Sequence, residues 1–377
     1  MRSRRTVCHW PPGSWYNAVM ATYAISDIHG AFEEFQRLLD KIRFRYDGSD
    51  SLYLLGDYGD WGEASMETIL TVKRLDEEYD FVHCLMGNHE LMFLSAIEAW
   101  LAGRDIEASE ENWLNANHGR VTWDAFLLLT PQEQLDLRDW LYELPFSCDI
   151  LVDGRRFMAA HAYPFFDDVE ATPQQRKRAR MDAVWRRLLP RENPFSQYTG
   201  TKTYSILICG HTITDYYYQE TNRQAGHSLA DVLPAGHKYI YRSERFVDID
   251  CGAKCMSFDG GQGNIYKTAA DRAQLAAYCL ETDEDFYVSK PIGPVGEMML
   301  GDRAPELLAP EIDFSELYPP EQMQTALGHS LFSREEVDYP ELEAPQVRIP
   351  EFTLPERGAD AARRIAHWAE RRITGKE

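Results

Sequence analysis

Between Thr22 and about Leu101 the chain alternates short apolar runs with stretches of helical period. "TYAIS", "SLYLLG" and "FVHCLMG" read as strands, and "FEEFQRLLDKIRF" and "SMETILTVKRL" between them repeat their apolar positions every three or four residues. Strands separated by helices predict βαβ units and a largely parallel sheet, whose ligands gather where loops leave the carboxyl ends of the strands. A helical middle follows. At "TPQEQLDLRDWL" Thr130 can cap, Pro131 suits the first turn and Glu133 completes a capping box. Beyond it come strand-like "FSCDILVDG" and "RRFMAAHA", a basic helix "QQRKRARMDAVWRRLL", and strand-like "YSILICGH". "KYIYRS", "RFVDIDCGA", "KCMSFDGG" and "GNIYKT" predict a second sheet, stacked on the first with helices outside.

From about Pro291 the pattern changes. Ten of the nineteen prolines lie there among acidic residues and isolated aromatics, which predicts an extended, irregular segment. Within it only "ADAARRIAHWAERRI" has helical period, with Ala361, Ile365, Trp368 and Ile373 on one stripe. The segment reads as disordered, as a strap over its own domain, or as a partner-binding tail; its aromatic spacing favours docking on its own domain. The expected division is a loose N-terminal extension over 1–20, one large domain over 21–290, and a Pro-rich acidic extension over 291–377 that ends in the amphipathic helix. The first nineteen residues read either as an upstream extension of the reading frame, with Met20 as the start, or as a loose arm. Their twin arginine is not followed by the apolar run of a signal peptide.

Composition narrows the partners. The 377 residues carry a formal net charge of −22. A field of that sign repels phosphate backbones and anionic lipid, so neither nucleic acid nor a membrane is expected as a general partner. A phosphorylated substrate is still compatible, provided bound cations reverse the local sign. The seven cysteines are scattered and form no C-x-x-C pair, which points to buried thiols in a reducing, cytoplasmic setting.

Every early strand ends in polar residues of one kind. The first gives Asp27 and His29, the second Asp57 and Asp60, and the third Asn88, His89 and Glu90. His161 and His211 stand at two later strand ends. Taken singly, each is more readily a turn or capping residue than a ligand. Together they place oxygen and nitrogen donors on five strand ends facing one edge. Two divalent cations about 3.5–4 Å apart need a bridging carboxylate and terminal donors of this sort. Imidazole and carboxylate suit manganese, iron or zinc, and no thiolate is present to favour a softer ion.

"DIHG", "GDYGDWG", "GNHE", "HA" and "GHT", in this order, resemble the phosphoprotein phosphatase family of calcineurin-like metallophosphoesterases, bacterial type, over roughly Ala21 to Val288. "WLNANHGRVTWDAF" and "FVDIDCGA" are similar to two supporting stretches of that family. The resemblance implies an α/β fold in which two mixed sheets form a sandwich flanked by helices, with the irregular extension appended. It implies two divalent metal ions, manganese foremost and iron, zinc or nickel as alternatives. Asp27, His29 and His211 would hold the first and Asp57 would bridge, with Asn88 and His161 on the second. His89 would be the general acid, oriented by Asp60, whose charge would raise the imidazole pKa. Arg186 matches the arginine that clamps phosphoryl oxygens, with Arg187 beside it as an alternative. A metal-bridging hydroxide would attack phosphorus in line.

One position departs from the pattern. Where the family has a second arginine, after Asp60, this chain has Trp61, which either packs against its loop or walls the cleft as an aromatic surface for a base, sugar or apolar leaving group. Arg120 or Arg187 could replace the lost charge, and His118 stands where a glycine is usual. "DYYYQETNRQAGHSLADVLPAGH", Asp215 to His237, reads as an insertion whose tyrosines pack the loop or line the cleft. The expected function is a two-metal phosphomonoesterase acting on phosphorylated protein, at serine or threonine and also at tyrosine. The alternative is a hydrolase of dinucleoside polyphosphates or another small phosphate ester. A catalytically dead scaffold is a third reading, with Trp61 its only support.

Overall fold

The computed structural model describes residues 20–166, 171–225, 238–257 and 272–290. The N-terminal arm up to residue 19, the end of the tyrosine-bearing insertion, the strand expected at "GNIYKT", and the extension with the helix expected at its end lie outside these residues.

The first half alternates as its periodicity predicts: β1 (Ala21–Ile25), α1 (Phe32–Lys41), β2 (Asp50–Leu54), α2 (Ser65–Glu78), β3 (Val82–Cys84) and α3 (Asn88–Leu101). The helical middle consists of α4 (Ile106–Ser109), a turn of π-helix at Asn112–Ala116, α5 (Arg120–Phe126) and α6 (Pro131–Glu143). Thr130 and Glu133 close the reciprocal cap that starts α6. Then follow β4 (Ser147–Val152), β5 (Arg155–Ala160), α7 (Pro173–Trp185), β6 (Ile206–Cys209), α8 (Asp215–Ala225), β7 (Tyr241–Arg242), β8 (Phe246–Asp248), β9 (Leu275–Cys279) and β10 (Glu284–Val288).

Two five-stranded sheets result, ordered β10-β9-β1-β2-β3 and β4-β5-β6-β8-β7. β1, β2 and β3 run parallel, as do β5, β6 and β8, while β9, β10, β4 and β7 join antiparallel. Both sheets are therefore mixed.

Strand alternation explains the layers. In β1, Tyr23 and Ile25 face the helices, while Ala24 joins Tyr53, Phe157, Ala159, Ile208 and Val247 between the sheets. With both faces covered, the central strands read as continuous apolar runs.

One expectation is corrected: "KCMSFDGG" was expected to be a strand, yet Ala253–Ser257 forms a short 3₁₀ turn. The insertion after His211 begins as helix α8, and of its two readings the packing one holds at Tyr217. Tyr217 is buried, stacks on Tyr241 and donates a 3.0 Å hydrogen bond to Asp248.

The parallel strands point their carboxyl ends the same way in each sheet, and the loops continue the pairing beyond them. Asp27 N–H donates to Gly56 O at 3.1 Å, His29 N–H to Asp57 O at 3.0 Å, and Gly210 N–H to His161 O at 2.8 Å. The site is built on this laced edge.

Candidate metal centre

Asp27, His29, Asp57, Asp60 and His211 share an unusual backbone: each has a φ between 48° and 69°. That region is costly for a side-chain-bearing residue, at about 1–3 kcal/mol each, and persists only where the surroundings enforce it. Trp61 and His118 share it, at 65° and 55°. Among the described residues three other non-glycine residues do so, at Arg43, Asp153 and Asp283. The strain is thus concentrated at the loops after β1, β2 and β6, and it turns successive side chains toward one point. Close backbone approach completes the arrangement. At Gly87 a Cβ would run into the Asp57 carboxylate, and at Gly210 into that of Asp27.

Asp57 lies at the centre. Its Oδ2 is 3.5 Å from His29 Nε2 and 3.8 Å from His89 Nε2, and its Oδ1 is 3.4 Å from His161 Nε2. Asp27 Oδ1 is 3.8 Å from His29 Nε2. These gaps are too long for hydrogen bonds and suit donors gathered round shared ions. The six predicted ligands come from the ends of β1, β2, β5 and β6 and the start of α3, and all are buried. The ligand atoms form two overlapping groups, His29–Asp57–His89 and Asp57–His161–His211. His211 was expected beside Asp27 and His29. Its imidazole instead groups with His161, 5.1 Å away between ring centres, although its N–H donates to Asp27 Oδ2 at 2.9 Å.

The tautomers fit cations. His29 donates from Nδ1 to Gly59 O at 3.0 Å, His161 from Nδ1 to Leu55 O at 2.9 Å, and His211 from Nε2 to Trp185 O at 3.2 Å. Each remaining ring nitrogen therefore carries a lone pair. His161 Nε2 faces Asn88 Oδ1 at 2.9 Å, an acceptor meeting an acceptor. Such a pair repels unless positive charge sits beside it. Burial pushes the pKa of His29 and His211 well below the ordinary imidazole value and lowers that of His161, so all three stay neutral. Burial, and then the Asp27 charge, pushes Asp57 well above the carboxylate range. A neutral imidazole set around a carboxylate in need of positive charge is the chemistry of a divalent cation site.

Supporting residues hold this set in place. Glu90 accepts from Asp57 N–H at 2.7 Å, Tyr58 N–H at 2.8 Å and Gly87 N–H at 3.1 Å, so it fixes the β2 loop to the start of α3. Asp60 accepts from Trp113 Nε1 at 2.6 Å, is bonded by the Thr122 hydroxyl, and sits 2.6 Å from His89 Nδ1. Sequence reading did not assign roles to Glu90, Trp113 or Thr122; for Glu90 the available signal was its place three residues after Gly87, whose N–H it accepts. The expectation that Asp60 raises the His89 pKa is corrected. Burial is the largest influence, with Lys254 and His161 adding to it, and His89 falls well below its ordinary value, while burial lifts Asp60 to about 7.

The two arginines separate. Arg186 pairs with Glu192 at 2.5 Å and lies 4.0 Å over the Tyr163 ring, whereas Arg187 donates to His211 O at 3.2 Å. Arg120 is held by both oxygens of Glu107 at 2.6 Å. Trp61 is half-buried and stacks on His118, with ring centres 3.9 Å apart.

The calcineurin-like phosphoesterase profile matches residues 20–237, more than half of the chain and every one of these loops. The chain belongs to the calcineurin-like phosphoesterase family. That family is one of metal-dependent phosphoester hydrolases, and the donor groups described above suit its metal dependence. The sequence is 30% identical over 166 residues to a symmetrical bis(5'-nucleosyl)-tetraphosphatase of Shigella dysenteriae, covering 40% of this chain and 54% of that protein. It is 42% identical over 85 residues to the protein of that name from Aromatoleum aromaticum, covering 22% and 30%. The chain thus spans about half the length, or less, of the curated relatives it matches. Among solved structures, a protein serine/threonine phosphatase from Saccharomyces cerevisiae aligns with a TM-score of 0.40 at 13% identity, over 74% of this chain and 82% of that one.

Proposed function

We propose that this phosphoesterase hydrolyses a small nucleotide phosphate of the dinucleoside polyphosphate class. The order of the two sequence-based readings is thereby reversed. The supporting observation is Trp61, next in sequence to Asp60 where a charged clamp was expected, stacked on His118. Flat π-surfaces at a rim suit a base, because every base offers a face to stack on. Relatives named as symmetrical bis(5'-nucleosyl)-tetraphosphatases match 166 and 85 residues of this chain.

Asp27, His29, Asp57, Asn88, His161 and His211 would hold two divalent cations, with manganese the proposed pair. Bound there, the cations supply Lewis acidity to phosphoryl oxygens and lower the pKa of water. The chain's own groups do the rest. His89 presents Nε2 toward Asp57, and Asp60 fixes the ring through Nδ1; the ring, neutral in the free site, takes up a solvent proton when the anionic substrate binds and gives it from Nε2 to the leaving oxygen. Arg187, anchored at the His211 carbonyl, places a guanidinium for the equatorial oxygens.

The test is a substrate panel on one manganese-loaded preparation: diadenosine tetraphosphate, a phosphopeptide set and p-nitrophenyl phosphate. The expected result is a kcat/KM at least ~10-fold higher for the dinucleotide. A preference for phosphopeptides would restore the protein phosphatase reading, and no turnover with metal bound would point to a scaffold.

A further inference from the structure

The loop after β8 brings a cation to the same rim. Lys254 lies on the 3₁₀ turn Ala253–Ser257, between the buried Ala253 and Cys255, so the backbone beneath it is fixed. Its Nζ is 5.6 Å from the centre of the Trp61 ring, and Trp61 directly follows Asp60. We propose that Lys254 binds the substrate's phosphoryl oxygens on the Asp60–Trp61 side of the centre, with Trp61 as its positioning residue. The proposal rests on the phosphoester reading above.

Two observations support it. The position after Asp60 offers an indole and no formal charge, so a cation on this side comes from another element. The ammonium sits over the Trp61 ring in a cation–π arrangement, which orients it. Asp60, the residue before that indole, lies 2.6 Å from His89 Nδ1, and His89 Nε2 is 3.8 Å from Asp57 Oδ2, so the loop that holds the ammonium adjoins the donor set. Arg187 is anchored elsewhere, at the His211 carbonyl.

Inorganic phosphate is the probe, titrated calorimetrically into manganese-loaded wild type, Lys254→Met, Lys254→Arg and Trp61→Leu, with metal content and Tm measured on each. Lys254→Met should weaken phosphate binding ~10- to 100-fold, the loss of one charge-assisted contact. Metal content should be unchanged, and Lys254→Arg should retain most of the affinity. Trp61→Leu should weaken binding severalfold although the ammonium remains. Adding Trp61→Arg to Lys254→Met should recover phosphate affinity. Phosphate affinity within twofold of wild type in Lys254→Met, or no phosphate binding by wild type, overturns the proposal. If Lys254→Met loses metal or melts early, the Trp61→Leu arm decides: unchanged affinity there also overturns it. Phosphate binding that depends on Lys254 without hydrolysis of any ester would instead defeat the functional reading and leave this one standing.

Discussion

Asp57 is the side chain that both candidate groups share, so its removal separates a dinuclear site from a collection of buried histidines. Asp57→Asn keeps the shape and removes the charge; turnover of any phosphoester should fall below detection, and wild-type rates in a folded variant would refute the bridging role. His89→Asn should lower kcat by ~10²–10⁴ with little change in KM, most clearly on a substrate with a poor leaving group. Equal kcat there would remove His89 from the proton-transfer role. The adjacent arginines give a sharper test of geometry. Arg187→Ala should reduce kcat/KM at least ~10-fold, because a charge-assisted contact is lost. Arg186→Ala should mainly lower Tm, through the loss of Glu192 and Tyr163 as partners. The reverse pattern would return the clamp to Arg186.

At the level of elements, the carboxyl-end loops explain what could and could not be read from the sequence. The βαβ alternation, the cap at Thr130 and the ligand-bearing strand ends were legible, because each is written in local period or spacing. Three features were not. "KCMSFDGG" has strand-like composition, yet its described half, residues 254–257, is set by tertiary packing in a 3₁₀ turn. The facing direction of Arg186 and Arg187 depends on where α7 ends, at Trp185, a boundary that composition does not mark. The supports of Asp60 come from Trp113 and Thr122, more than fifty positions away, and no short-range pattern announces them. Glu90 shows the strength of such support. Its carboxylate accepts three backbone N–H groups, and Glu90→Gln turns one acceptor into a donor facing donors. Metal affinity should fall ~10- to 100-fold while secondary structure is kept; undiminished affinity would reduce Glu90 to a simple helix cap.

For the molecule as a whole, the buried charges couple stability to metal and to pH. Burial, the first cause in each case, lifts Asp60, Glu90 and Asp250 to about 7 and pushes Asp57 and Asp248 well above the carboxylate range. The folded chain without metal therefore keeps protons that the unfolded chain releases from about pH 4 upward, so these groups cost stability as pH rises. The lowered histidines act oppositely, costing stability only below about pH 6.5, where unfolded imidazole gains a proton. Above that pH the carboxylates decide. Thermal melts in excess chelator should give a lower Tm at pH 8 than at pH 6.5, with manganese restoring more at pH 8 because it displaces protons on binding. A chelated protein equally stable at both values would contradict this balance.

The most direct test of the account is the number of metal ions per chain, measured by elemental analysis after dialysis against manganese, in wild type and in Asp57→Asn of equal fold. Two ions in the wild type and at most one in the variant are predicted. A single ion in the wild type, or two retained by Asp57→Asn, would contradict the claim that one carboxylate joins two metal positions.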